Sequence, residues 1–339
     1  MKVETHFKLP KVFIVGSGRS GTTLLASMLN ASDQIYIPYE TDFIARAYPY
    51  LQNKTAFDVQ DYKLITQLFK KTAKQEGWGM SEEYLLSHLE SKSPQTFTDV
   101  NSAIYEAFHK QEGTLDLDWG IKAPVLIASL DRICEVCPGA KIVHIIRDGR
   151  DVYLSYKKIH ESSEVKFGPK GVIATALYWI DGLRRIEQFK NSEKDIDIFE
   201  LRYRDLLSEP EEKLRELCNF LEIGYRSEMH EKFNENPHNK KVVPSQFKQS
   251  FHKKLIGGLD PNNTEKYLSK MSESELFQFE LVAAPYLVKY GYQLQYPMVK
   301  SILFAPLRSI LYSFARLLNN LRYAHRDRQT YNQANRNLA

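Results

Sequence analysis

The sequence predicts an α/β fold of three layers, a central, mostly parallel sheet flanked by helices. A helical insertion and a C-terminal amphipathic helix are added to it. Three observations point there. Short apolar runs, Val12–Val15 and Ile142–Ile146, read as strands buried on both faces. Segments with apolar residues at helical spacing lie between the strands. A glycine-rich turn, Gly16-Ser17-Gly18-Arg19-Ser20-Gly21, leads from the first run straight into a good helix former, Thr22 to Leu29. Strand, glycine turn and helix N-terminus together make a cradle for an anion, because unpaired N–H groups converge there and the helix dipole favours negative charge.

The remaining elements follow in order. Gln34–Ile37 is a second short strand ending at Pro38, and Tyr39-Glu40-Thr41-Asp42 leads into a helix. Residues 58–112 read as mostly helical, with Phe69, Leu85, Leu89, Ile104 and Phe108 at helical spacing. An insertion of about 45–115 is expected to cover the site and shape an acceptor pocket. Trp119–Lys122 is a strand before a helix opened by Pro124, and Lys141–Ile146 is the next buried strand. Helices are expected from Asp148, Gly171, Glu209 and Ser272, with a strand at Ile196–Tyr203 and an Asn/Lys/Pro-rich loop over 232–263.

The chain has 339 residues, 43% hydrophobic and 12% aromatic, which are values of a globular protein. Its three cysteines, Cys134, Cys137 and Cys218, make no disulfide framework and indicate a reducing, cytoplasmic compartment. No stretch has the length and apolarity of a transmembrane helix or a secretory signal. Net charge is +4, but seven basic residues and one acid from Met298 onward put +6 in the tail and leave −2 for the rest. That distribution argues against nucleic-acid binding by the body. Within the tail, Leu307, Ile310, Leu311, Phe314, Leu318 and Leu321 share one helical face, and Arg308, Arg316 and Arg322 fall elsewhere. A peripheral membrane contact through 306–323, packing on the body, and pairing in a homo-oligomer are all open. The expected organisation is a catalytic domain over 1–297, a basic amphipathic helix over 298–325 and disorder over 326–339.

The glycine turn alone admits three readings. Gly16, Gly18 and Gly21 fit G-x-G-x-x-G, with Glu40 about 20 residues on, as in dinucleotide binding. Gly16 and Gly21 fit a P-loop, but Thr22 replaces its lysine. Third, Arg19-Ser20-Gly21-Thr22-Thr23-Leu24 resembles the 5′-phosphosulfate loop of sulfotransferases that use 3′-phosphoadenosine 5′-phosphosulfate (PAPS). A second stretch favours the third. Arg147, at the carboxyl end of a buried strand, and Ser155, eight residues on, suit a phosphate monoester. With Asp148, Arg150 and Asp151 they resemble the same family's 3′-phosphate motif.

The resemblance implies a P-loop-NTPase-like fold, PAPS as co-substrate, adenosine 3′,5′-bisphosphate as product, and no metal. It implies that Gly18, Arg19, Ser20, Gly21, Thr22, Thr23, Arg147 and Ser155 bind the nucleotide. Tyr203, in a strand end like the family's Y-E-D-L element, inherits a place by the adenine, and Lys254 a place in a basic loop over the 3′-phosphate. Tyr39-Glu40-Thr41 resembles the E-T element of the tyrosylprotein and bacterial branch, which makes Glu40 the general base. Lys122 resembles the lysine that contacts the sulfonate or bridging oxygen, and Arg19 completes the catalytic set. His144 and His160 are set aside as bases, because the strand end Ile121-Lys122-Ala123-Pro124 lacks the histidine of the phenol-sulfonating branch. The resemblance implies an acceptor hydroxyl on a glycan, a glycolipid or a small-molecule alcohol. A nucleotide kinase with an atypical P-loop and a non-catalytic binding module are the competing readings.

Overall fold

A computed structural model describes residues 7–73, 75–162, 166–192, 197–242, 258–297 and 304–338. Five strands, β1 (Val12–Val15), β2 (Ile35–Tyr36), β3 (Asp118–Lys122), β4 (Lys141–Ile146) and β5 (Ile198–Arg202), form a sheet in the order β2-β3-β1-β4-β5. Every described pairing is parallel. The first excursions of the chain build one side of β1, and β4 then opens the other. The order therefore reverses between β1 and β4, which is where open α/β sheets bind ligands.

The unbroken apolar run of β1 is explained by its two covered faces. Val12 and Ile14 pack with the helices Thr22–Asn30 and Pro210–Leu221. Phe13 and Val15 pack on the opposite side, with residues of the helices Phe43–Leu51, Val59–Thr72, Glu82–Lys92 and Phe97–Glu112. A third cluster joins the helices Gly149–Ser162, Val172–Lys190 and Glu273–Lys289. The helical segment expected over 45–115 is thus the cover of one sheet face.

The final helix runs from Ala305 to Arg336 and passes the residue at which disorder was expected. Its later turns are held to the body. Asp327 pairs with Arg46 at 2.5 Å, both side chains being buried, and Tyr331 stacks on Tyr50 with ring centroids 4.1 Å apart. Its earlier turns attach through polar groups: Asn319 donates to Asp181 at 3.1 Å, and Arg185 donates to Asn320 at 2.6 Å. No helix among the described residues is long and apolar enough to cross a membrane.

Buried His109, whose Nδ1 lies 2.8 Å from the Thr114 hydroxyl, gives a stability test. Burial lowers its pKa from 6.5 to about 4. Between those values the unfolded chain takes up the proton first, so stability is intact above pH 6.5 and falls as the pH drops toward 4. Melting temperatures across that window are expected to fall more steeply for the wild type than for His109→Gln, and equal slopes would contradict the assignment.

Candidate functional site

The parallel register sets Val15, the last residue of β1, opposite His144, and β4 runs two residues further, to Ile146. Their following residues, the glycine turn and Arg147, meet in a cleft of 2010 Å³. Gly18, Arg19, Gly21, Thr22, Thr23, Glu40, Arg147, Ser155 and Tyr203 all line it.

The turn is shaped by what surrounds it. Gly18 N–H donates to the Tyr178 hydroxyl at 2.8 Å, and Tyr178 shares a hydrogen bond with Tyr156. A Cβ on Gly18 would lie 2.2 Å from the Tyr156 hydroxyl oxygen, so a side chain there collides with the support of the loop. Burial raises the Tyr156 pKa to about 12, which keeps that hydroxyl protonated. Gly21, at φ 107°, starts the helix with its face against the Tyr203 ring. Arg19 takes φ 71°, a left-handed conformation unusual for an arginine, of the kind that functional sites retain.

Arg19 joins the two phosphate motifs. Its Nε donates to Ser155 Oγ at 3.0 Å, and its carbonyl accepts from Arg147 at 3.3 Å. Burial pulls the Arg19 pKa below the ordinary guanidinium value, opposed by Tyr156, assisted by Arg147 and opposed again by Glu40. The Arg147 guanidinium lies over the Tyr203 ring, 4.7 Å from its centroid, and donates to the Asn263 carbonyl at 3.0 Å. Its buried Nε has no hydrogen-bond partner among the described residues. An orphaned donor of this kind suits an anionic ligand in the cleft.

The 3′-phosphate motif divides between cleft and scaffold. Arg147 and Ser155 face the cleft. Arg150 is fully buried, bonded to Asp148 and Glu280 and to the Gln293 carbonyl, with its guanidinium 3.7 Å from the Tyr267 ring centroid. Burial opposes its charge, but Asp148, Tyr267 and Glu280 outweigh that and raise its pKa. Asp151 accepts from Tyr267 N–H at 3.1 Å. These residues pin the C-terminal segments to the end of β4.

Glu40 and Lys122 meet because β2 pairs with β3, Tyr36 opposite Trp119. Lys122 Nζ lies 2.6 Å from Glu40 Oε2 and 5.1 Å from the Tyr39 ring centroid. Glu40 lines the cleft, whereas Lys122 is fully buried behind it. Ser20 is also fully buried, beneath the loop near Gly16. Lys254 lies outside the described residues. His144 is buried on β4 with its Nδ1 3.3 Å from Glu200, so it serves the core.

Other cleft residues had no sequence signal. Asn263 donates to the Tyr203 hydroxyl at 2.7 Å and accepts from Lys266 at 2.5 Å. Tyr178 reaches Gly18 across 160 positions of sequence. From the segment 45–115, Thr72 reaches the cleft wall. The far wall comes instead from Leu154, Phe167, Leu177 and the final helix, through Leu318, Leu321 and Arg322. Among the described residues no group of three or more His, Cys, Asp or Glu is placed to hold a metal.

Comparison with known proteins comes to the same place. Residues 10–227 match the model of the Sulfotransferase family. The omega-hydroxy-beta-dihydromenaquinone-9 sulfotransferases Stf3 of Mycobacterium bovis and Mycobacterium tuberculosis are each 26% identical over 259 residues. That match takes in 65% of this chain and 65% of each relative, just under two thirds of their length. The sulfotransferase domain from the curacin biosynthetic pathway superposes with a TM-score of 0.57 at 18% identity, over 85% of this chain and 99% of its own. The sulfotransferase domain of the Synechococcus PCC 7002 olefin synthase gives 0.56 at 18% identity, over 87% and 98%. These two likenesses establish the fold, P-loop-like with a central parallel sheet.

Tyr178→Phe removes the acceptor of the Gly18 N–H. One neutral hydrogen bond contributes about 0.5–1.5 kcal/mol. Binding of adenosine 3′,5′-bisphosphate, measured by titration calorimetry, is expected to weaken roughly two- to twelvefold. Unchanged affinity would remove Tyr178 from the support of the loop.

Proposed function

We propose that this chain, which belongs to the sulfotransferase family, moves the sulfuryl group of PAPS onto the hydroxyl of an apolar, lipid-like acceptor. The bridging position of Arg19 carries the reading. One arginine touches both Ser155 and Arg147, so the cradle for a 5′-phosphosulfate and the grip for a 3′-phosphate form one network. A triphosphate or a dinucleotide has no use for that pairing. The orphaned Nε of Arg147 and the cramped loop glycines fit the same ligand.

Bound PAPS supplies a sulfuryl group whose bond to the 5′-phosphate breaks as the acceptor oxygen takes the sulfur. Glu40 takes the hydroxyl proton on its cleft-facing carboxylate. Lys122, buried at 2.6 Å from that carboxylate, fixes its direction. Arg19, Thr22 and Thr23 line the place where negative charge develops and stabilise it. Tyr203 offers a ring beside Arg147 for the base of the nucleotide.

The apolar wall of Leu154, Phe167, Leu177, Leu318 and Leu321 supports a lipid-like acceptor over a bare glycan. The acceptor named for the mycobacterial relatives, a hydroxylated menaquinone, is of the same chemical kind.

Two measurements test the reading. Adenosine 3′,5′-bisphosphate at one hundred times its Kd is expected to raise the melting temperature by roughly 4 °C. ATP–Mg and NAD should do little, and a larger effect of ATP–Mg would favour the kinase. Glu40→Gln is expected to cut sulfuryl transfer from labelled PAPS by about a hundredfold or more, with nucleotide binding near wild type. Wild-type turnover in that variant would remove Glu40 as the base.

A further inference from the structure

The final helix presents its apolar face to solvent. Leu307, Ile310, Phe314, Leu317 and Leu321 recur at helical spacing and are 49–67% exposed. The polar side is turned inward: Tyr312 donates to the Val282 carbonyl, Arg316 bonds Gln188, Asn319 reaches Asp181, and Arg308 is buried. This inverts the usual arrangement of an amphipathic helix on a globular body.

The exposed charge at the C-terminal end of the stripe is positive. The acid of this helix, Asp327, is buried against Arg46. Arg322, His325 and Arg328 are exposed. On the facing rim of the cleft lies exposed Lys170, with Glu161 the opposing acid there. The stripe is also continuous with the cleft. Leu318 and Leu321, four and seven positions after Phe314, form the edge of the stripe and line the cavity that holds Arg19 and Glu40.

We infer that the final helix lies on an anionic bilayer with this stripe in the interface, and that a lipid acceptor slides from the bilayer past Leu321 and Leu318 to Glu40. The inference rests on the sulfotransferase reading for the second of these roles and on the stripe alone for the first. Charge complementarity selects the bilayer as the occupant: exposed cations continue a strip of leucine, isoleucine and phenylalanine at its C-terminal end, a pattern that suits an anionic interface. The lipid then leaves one apolar environment for another, with its hydroxyl leading.

Flotation of the full chain tests this, using phosphatidylcholine vesicles with and without phosphatidylglycerol. The test variant combines Ile310→Ser, Phe314→Ser and Leu317→Ser, three exposed positions outside the cleft lining. The wild type is expected to float with the phosphatidylglycerol vesicles and to be released by salt. The variant is expected to bind at least tenfold less, with an unchanged melting temperature. It should retain sulfuryl transfer to a water-soluble alcohol and lose transfer to a hydroxylated lipid held in vesicles. Absent flotation, flotation that survives the three substitutions, or a stable dimer in sedimentation that the substitutions dissociate would overturn the membrane assignment. Nucleotide binding in the same preparations is read separately by thermal shift. Its loss alongside intact flotation would refute the acceptor route and the sulfotransferase reading together.

Discussion

The parallel pairing of β1 with β4 is the constraint on which the site depends. Because Val15 stands opposite His144, two segments more than a hundred residues apart leave the sheet at the same end, β4 two residues beyond β1. The glycine turn then lies beside Arg147, and Arg19 can reach Ser155 with its side chain and Arg147 with its carbonyl. A slip of this register would separate the two halves of the anion site. Everything that buries β1 and β4 on both faces therefore also holds the site.

Charge around the cleft follows the same economy. At the glycine turn, the cations that line the cleft are Arg19 and Arg147. Those that hold the frame are sealed with acids: Arg150 with Asp148 and Glu280, Arg46 with Asp42 and Asp327. A buried cation that lost its acid would cost several kcal/mol. The motif around Arg147 thus does two things in one run of sequence: Arg147 and Ser155 line the cleft, and Asp148, Arg150 and Asp151 anchor the C-terminal segments. Arg46 extends the frame further, since it couples the final helix to Asp42, two residues from Glu40.

The parts legible in sequence were those with local signals. Apolar runs marked β1 and β4, glycines and hydroxyls marked the loop, and Arg147 at a strand end was linked to Ser155 on the following helix by their spacing. Glu40, singled out through a short element next to a strand end, lines the cleft. What was not legible depends on distant partners. Nothing near Tyr178 shows that it will support Gly18, and Asn263 is one polar residue in a polar loop. The pairing of Lys122 with Glu40 required knowing that β2 and β3 are neighbours. The final helix was legible as amphipathic, but which side meets the body was not, because Asn319, Tyr312 and Asp327 attach by hydrogen bonds and ion pairing instead of apolar periodicity. Its course beyond residue 326 depends on Arg46 and Tyr50, far away in the chain.

The central claim is that Arg147 reads a 3′-phosphate within the network built on Arg19. A thermodynamic cycle over ligand and protein tests it directly. Calorimetry would compare adenosine 3′,5′-bisphosphate with adenosine 5′-monophosphate on the wild type and on Arg147→Ala. The expected result is that the wild type prefers the bisphosphate by about 1.5–3 kcal/mol, as for hydrogen bonds to a charged group, and that Arg147→Ala loses most of this preference. An equal preference in both proteins would contradict the account.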